Sequence, residues 1–333
     1  VKAGQRGRKV RNWPGASGYH RTLALAAAFL AALILPTTAS AATCTDTWTG
    51  PTEGSWTAAS NWSAGHVPTE SDVACIGSGK TVNVTTGTQK ASVVQGEGAL
   101  KIEKSTLELL SSSETSQIKS LTMKFEAVLT GPATLKVTGS FSWPNESTMS
   151  GSGSTIVEPG VSGTLAAAKA KLIGRRFVNR GSLTYSRQIV MSEGAVFENA
   201  GTLLAAAPEA IKVAEGSKSA PSFVNAGMLR KTEGTSEAPV EVSFENRGTV
   251  NGEKGSFAFR TAGPTFTLAN GSVLEGGIAF KEASVTAGSF TGSSAVRLMK
   301  KATMAMATGA SSTVGSLTME FESALNGQGT LTV

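Results

Sequence analysis

The chain has 333 residues, a formal net charge of +6 and a pI near 9.3, figures that at first suggest a basic protein. Six of the basic residues (Lys2, Arg6, Arg8, Lys9, Arg11 and Arg21) lie in residues 1–41, which carry no Asp or Glu, so residues 42–333 hold 24 basic and 24 acidic side chains. A formally neutral working chain excludes a broad basic surface for nucleic acid, and no nucleic-acid partner is expected. Charged residues are 16% of the chain against roughly 25% in an ordinary soluble domain, while 40% apolar content excludes wholesale disorder. The only Asp are Asp46 and Asp72, and the only His are His20 and His66.

Residues 1–41 read as a secretory signal peptide. The basic stretch ends at Arg21, an apolar run follows from Leu23 to Leu35, Pro36 breaks it, and Ala39-Ser40-Ala41 offers a small-x-small cleavage site. The run is shorter than the ~20 residues that cross a bilayer, so no membrane span is expected after signal removal. A secreted or cell-surface location follows. Cys44 and Cys75, the only two cysteines, then lie in an oxidising compartment and read as a disulfide, with two free thiols as the alternative.

Residues 42–78 are dense in tryptophan: Trp48-Thr-Gly50, Gly54-Ser-Trp56, Asn61-Trp62, Gly65-His-Val-Pro68 and then Asp72. This pattern resembles the start module of exported bacterial parallel β-helix proteins, of the autotransporter-passenger and surface-adhesin kind. The resemblance implies a cap over the open end of a strand stack, where large aromatics cover much area with few residues. The alternative is that Trp48, Trp56 and Trp62 form a carbohydrate-stacking face.

Residues 79–333 read as a repeat array. Phe-x-Asn-x-Gly-x-(Leu/Val) occurs at Phe177/Asn179/Gly181, Phe197/Asn199/Gly201, Phe223/Asn225/Gly227 and Phe244/Asn246/Gly248, in steps of 20, 26 and 21 residues. Such a period marks a solenoid. Three short β-type runs fall in one period, for example Leu183–Tyr185, Ile189–Met191 and Ala195–Phe197. The expected fold is therefore all-β: a parallel β-helix with three strands per coil. At about 22 residues a coil the array predicts roughly eleven coils. In that fold Phe stacks inward, Asn forms a structural ladder at a corner, and Gly supplies a backbone conformation open to few other residues.

A second repeat aligns Ser120–Val137 with Ser316–Val333 at 11 of 18 positions. The larger array thus begins to repeat where the sequence stops, and a truncated C-terminus, with the array continuing beyond Val333, is expected. Residues 143–183 are also similar to repeats of large exported bacterial surface proteins, which supports fold and location only.

Catalytic constellations find few candidates. With no Asp or His after Asp72, the Asp groups of β-helical lyases and polygalacturonases cannot be carried over, and calcium and zinc sites lack ligands. A Ser-His-Asp triad would have to use His66 with Asp46 or Asp72. Gly151-Ser-Gly153 lacks the context of a phosphate loop. Arg175-Arg176 and Lys300-Lys301 read as solvated turns. No catalytic site, metal or cofactor is expected. The leading expectation is a secreted or cell-surface structural or adhesive rod, whose partner is an extracellular polysaccharide or a host or cell-surface component. A polysaccharide-binding module comes second and a polysaccharide-degrading β-helix enzyme third. Sequons stand at Asn61, Asn83, Asn145 and Asn270.

Overall fold

Runs of three to five residues that alternate apolar and polar cannot close a helical stripe, but they can bury every second side chain of a strand. The computed structural model describes residues 42–333, apart from 145, 166–168 and 261–262. The signal-like segment 1–41 and Asn145 lie outside the described residues. The described chain is all-β, a parallel β-solenoid of about 12 turns. Its one described helical element is a 3-10 turn at Ala59–Asn61. None of the described helices is long and apolar enough to cross a membrane.

Between residues 176 and 231 each strand lies on the third strand after it. Arg176–Asn179 pairs with Val196–Asn199, Ser182–Tyr185 with Thr202–Ala205, and Gln188–Ser192 with Ile211–Val213, all in parallel. Elsewhere two successive strands run together round a corner. Val93–Glu103, Thr115–Lys124, Thr134–Ser142 and Thr249–Arg260 are such elements. Their pairings slip at the bend, as between Gly252 and Ser256. Pairing is continuous across residue 78, because Asp46–Thr47 lies on Val73–Cys75, which lies on Val93–Glu103. The tryptophan segment therefore supplies strands to the stack it covers.

Side chains alternate inward and outward, as in Ser182–Tyr185, where Leu183 and Tyr185 are buried and Ser182 is exposed. The inward ones form one apolar core from Trp48 to Val314. Each fully buried Leu, Ile or Phe contributes roughly 1.5–3 kcal/mol. Phe177, Phe197, Phe223 and Phe244 sit in register, with ring centroids 5.2, 5.1 and 5.1 Å apart. Phe266 extends the register by one coil that lacks the rest of the motif.

Two expectations are corrected here. The motif glycines are not in left-handed backbone: none of Gly181, Gly201, Gly227 and Gly248 has positive φ. They are needed because coils touch there. A Cβ on Gly227 would lie 2.1 Å from the Gly201 carbonyl oxygen, and one on Gly248 would lie 2.2 Å from that of Gly227. Left-handed backbone is carried by glycines outside the motif, such as Gly151, Gly160 and Gly174, and by non-glycine corners such as Phe125-Glu126, Lys300-Lys301 and Phe321-Glu322.

The second correction concerns the 18-residue repeat. Ser120–Lys124 stacks on Ser140–Ser142, whereas Ser316–Met319 stacks on Ala295–Met299. Followed back through its pairings, the latter column reaches Val128–Thr130, the strand after Ser120–Lys124. The second copy is set one strand further round the coil. The repeat is a strand–corner–strand unit and does not mark a larger period of the array.

Candidate functional site: cap, corner ladder and outer face

The cap is built on close approach. A Cβ on Gly50 would lie 2.7 Å from the Asn61 side chain, and one on Gly54 would lie 3.0 Å from the Trp48 ring. These glycines let the segment fold tightly enough for Trp48, Trp56 and Trp62 to meet edge-on, at 5.1 and 5.0 Å between centroids. The Trp62 indole N–H donates to the Trp56 carbonyl at 2.7 Å, and that of Trp48 donates to the Pro51 carbonyl at 2.9 Å. All three rings are buried, with at most 4% exposed. A sugar needs a free aromatic face, so the reading of these rings as a carbohydrate-stacking surface is overturned. Cys44 and Cys75 form a disulfide with their Cα atoms 5.8 Å apart. Closing that loop stabilises by roughly 3–4 kcal/mol in the chain-entropy model.

The three titratable candidates for a triad lie in this cap. Asp46 is buried and accepts from the Ala64 amide at 2.9 Å and the Ser63 hydroxyl at 3.3 Å. Asp72 accepts from the Thr69 hydroxyl at 2.6 Å, the Thr69 amide at 2.8 Å and the Thr45 hydroxyl at 3.1 Å. His66 Nδ1 bonds to the carbonyl of Val67 at 3.0 Å, and lies 4.0 Å from Asp72. That carbonyl raises the imidazole above its ordinary value, helped by the charges of Asp72 and Asp46. Among the described residues no serine hydroxyl bonds to His66, and the two carboxylates are spent on turns.

Burial alone would raise the Asp72 carboxyl, but the hydrogen bonds from Thr69 and Thr45 outweigh it and hold the group below its ordinary 3.8. A carboxylate depressed in the folded state stabilises above its unfolded value and loses that contribution as pH falls through its folded value. The cap should therefore loosen below about pH 3.8. Tryptophan fluorescence should report this as a red shift, and Asp72→Asn should remove that transition from the acid titration.

The motif asparagines form a buried ladder. Asn179 donates to Asn199, Asn199 to Asn225, and Asn225 to Asn246, each at 2.8 Å from Nδ2 to Oδ1. The same Nδ2 atoms reach strand carbonyls: that of Asn225 donates to Thr249 at 2.9 Å. Val157 below and Leu268 above take the equivalent positions, so the ladder occupies four coils and ends on apolar rungs. Asn225→Asp should disrupt it, because two oxygen acceptors would then face each other. A carboxyl buried there is raised above its usual ~3.9, so the penalty grows as pH rises through that value. Urea midpoints should show a loss of about 2 kcal/mol near pH 4 and more at pH 7.

Sequence reasoning missed one residue entirely. Arg175, expected in a solvated turn, is fully buried. Its Nε donates to the Thr155 hydroxyl at 2.9 Å. Nη1 donates to the carbonyls of Gly131 and Ser150, and Nη2 to those of Ala133 and Ser154, at 2.9–3.0 Å. Burial pulls the guanidinium down to about 10, which leaves it charged at neutral pH. Its neighbour Arg176 faces outward and pairs with Glu198. No sequence signal separated the two, because nothing in the local pattern shows that carbonyls from two earlier coils converge at this corner.

The outer surface carries two kinds of order. Ion pairs join successive coils, as in Arg180–Glu158 at 3.2 Å, Arg260–Glu241 at 2.7 Å and Arg297–Glu320 at 3.3 Å. Each contributes roughly 0–1 kcal/mol. Hydroxyl ranks occupy one side. Ser120 and Thr122 are in register with Ser140 and Ser142, those with Ser162 and Thr164, and those with Ser182 and Thr184. Thr202 adds one further position. All are at least partly exposed, and the Ser140 hydroxyl donates to that of Ser120 at 2.8 Å. Among the described residues no group of three or more His, Cys, Asp or Glu side chains is placed to hold a metal ion.

Fold and surface together define a rigid parallel β-solenoid with a disulfide-closed aromatic end. Comparison with protein-family models, with curated proteins and with solved structures found no match.

Proposed function

We propose that this chain is an exported, secreted or cell-surface β-helical rod with an adhesive or structural role, and that it acts by multivalent display without catalysis. The observation that carries the reading is the register-matched hydroxyl face, two columns of Ser and Thr over four coils. A three-sided coil presents such columns at the strand spacing of about 4.8 Å, on a scaffold too stiff to lose entropy on contact. Each hydroxyl contributes little, and many acting together raise avidity by roughly 10²–10⁴. The uncharged ranks suit an extracellular polysaccharide or a glycosylated cell surface. The signal-like segment 1–41 and the disulfide favour export.

The test is adhesion of beads carrying the chain to polysaccharide-coated surfaces. Wild type should adhere without releasing reducing ends. Thr164→Lys with Thr184→Lys should cut adhesion tenfold or more while leaving the melting temperature within a few degrees. Equal adhesion by both forms removes the hydroxyl face from the mechanism. Release of reducing ends makes the protein an enzyme.

A further inference from the structure

At the capped end the columns of the stack do not all begin in the same coil. One begins with Asp46–Thr47 under Val73–Cys75, and another with Glu53–Ser55 under Thr81–Val84. A further column begins one coil later: Thr88–Ala91 lies under Thr106–Leu109, and among the described residues no strand pairs with its other edge. The chain between Ser55 and Val73, where the missing strand would fall in sequence, makes the tryptophan cap instead. The last turn of the cap closes on itself. The Asp72 amide donates to the Thr69 carbonyl at 3.1 Å, and the Thr69 amide and hydroxyl donate to the Asp72 carboxylate. This stretch meets the chain that follows Ala91 only at the Asp72 carbonyl, which accepts from the amides of Ser92 and Val93 at 2.9 and 3.3 Å.

The uncovered edge has a definite chemistry. The Thr106 amide donates to the Gly87 carbonyl at 2.9 Å and the Leu110 amide to the Ala91 carbonyl at 3.0 Å, so the odd-numbered residues here face the next coil. Backbone groups of successive strand residues point to opposite sides, so Thr88 and Lys90 turn their N–H and C=O toward the cap. Ser92 continues that series and finds Asp72, whereas Thr88 and Lys90 have no backbone partner on that side among the described residues. Between them and the cap lies a slot of about 400 Å³, lined by residues 68–71 and 88–90. One ion pair crosses it, Lys90 to Glu70 at 3.2 Å, with side chains 45% and 67% exposed. A pair so exposed is worth little and opens readily.

A row of free amides and carbonyls at strand spacing is matched by one kind of ligand, another extended backbone. A second copy of this edge does not suit it, because edge-to-edge pairing brings lysine to lysine. We infer that residues 88–90 are an acceptor edge for an extended polypeptide segment of a partner protein, which adds parallel to Thr88–Ala91 in the missing strand position and sets an acidic side chain beside Lys90. The covered edge shows the same pattern, since Lys90 is there in register with Glu108. As the segment enters, Lys90 exchanges Glu70 for the incoming carboxylate, and Glu70 turns back to solvent. This binding mode goes beyond the adhesive reading and does not depend on the hydroxyl face.

The test combines amide exchange by NMR and titration calorimetry on the full chain. The probe is the end-blocked hexapeptide Ser-Thr-Leu-Glu-Leu-Leu, the sequence of residues 105–110, because that strand already pairs with the other edge. In the free protein the amides of Thr88 and Lys90 should exchange faster than those of Gln89 and Ala91, and the peptide should protect them selectively. Lys90→Pro removes an edge N–H but no bond to the next coil, so the melting temperature should hold while affinity falls about tenfold. Lys90→Ala, which keeps the amide, should cost about threefold, and Glu70→Gln should gain about threefold by freeing Lys90. A peptide with Lys in place of Glu should bind more weakly than the probe. Slow exchange of Thr88 and Lys90 in the free protein overturns the assignment, because the edge is then already covered. Failure of the probe to protect them, or affinity unchanged in Lys90→Pro, overturns it as well. If Lys90→Pro lowers the melting temperature, the Glu70→Gln gain and the loss with the Lys peptide decide, and absence of both overturns it.

Discussion

Arg175→Met should destabilise the chain by roughly 4 kcal/mol, the largest effect expected of any single side chain here. Methionine fills much of the volume but donates nothing. Four carbonyls and a hydroxyl that now receive a guanidinium N–H would be left without it, and each orphaned buried group costs about 1–3 kcal/mol before relaxation. Arg175→Lys is also expected to fail. An ammonium keeps the charge but has three donors and no planar fork, so it cannot serve carbonyls on both sides of the corner. Hydrogen exchange should localise the damage. Amides of Thr148–Ser150, Ser154–Val157 and Arg176–Asn179 should lose protection first, while the tryptophan cap stays closed, because a solenoid communicates chiefly between neighbouring coils. Unchanged urea midpoints for Arg175→Met would show that the corner satisfies its carbonyls without the guanidinium.

Gly227→Ala is the second large effect. The new Cβ would fall 2.1 Å from the Gly201 carbonyl oxygen, and that atom is backbone, so no side-chain rotation relieves the contact. Two coils must move apart where the Gly227 amide also bonds to the Asn199 carbonyl at 2.8 Å, beside the buried Asn199–Asn225 bond. Overpacking of this kind costs about 3 kcal/mol, and it should spread to both asparagine rungs. Gly160→Ala is the control. Gly160 has φ of +84° and nothing within 4 Å of a Cβ, so only the left-handed strain of roughly 1–2 kcal/mol applies. Denaturation of both variants should rank Gly227→Ala well below Gly160→Ala. The reverse order would return the motif glycines to a conformational role.

The Phe and Asn positions of the motif were legible in the sequence, because a side chain that must meet its own copy in the next coil has to recur at the coil period. The role of glycine was not. A required left-handed φ and a required close approach leave the same letter, and only the stack shows which one applies. Candidate site residues divide the same way. Trp48, Trp56 and Trp62 could be placed in a cap only through the resemblance of their segment to the start module of β-helix proteins. Whether their rings faced sugar or each other depended on Asn61 packing against Gly50 and Gly54.

The sequence by itself determined the charge balance of residues 42–333, an all-β solenoid, the single cysteine pair and the buried Phe–Asn columns. These follow from composition and from periodicity, which are properties of neighbours along the chain. Only the tertiary structure decided that Arg175 is buried and bound by carbonyls of the two preceding coils. The same holds for the motif glycines, which mark contact between coils, and for the 18-residue repeat, which turns up on two different strands of the coil. Each depends on atoms some twenty residues or more apart being brought within bonding distance, and the pitch and corner geometry that do so are set by the whole stack.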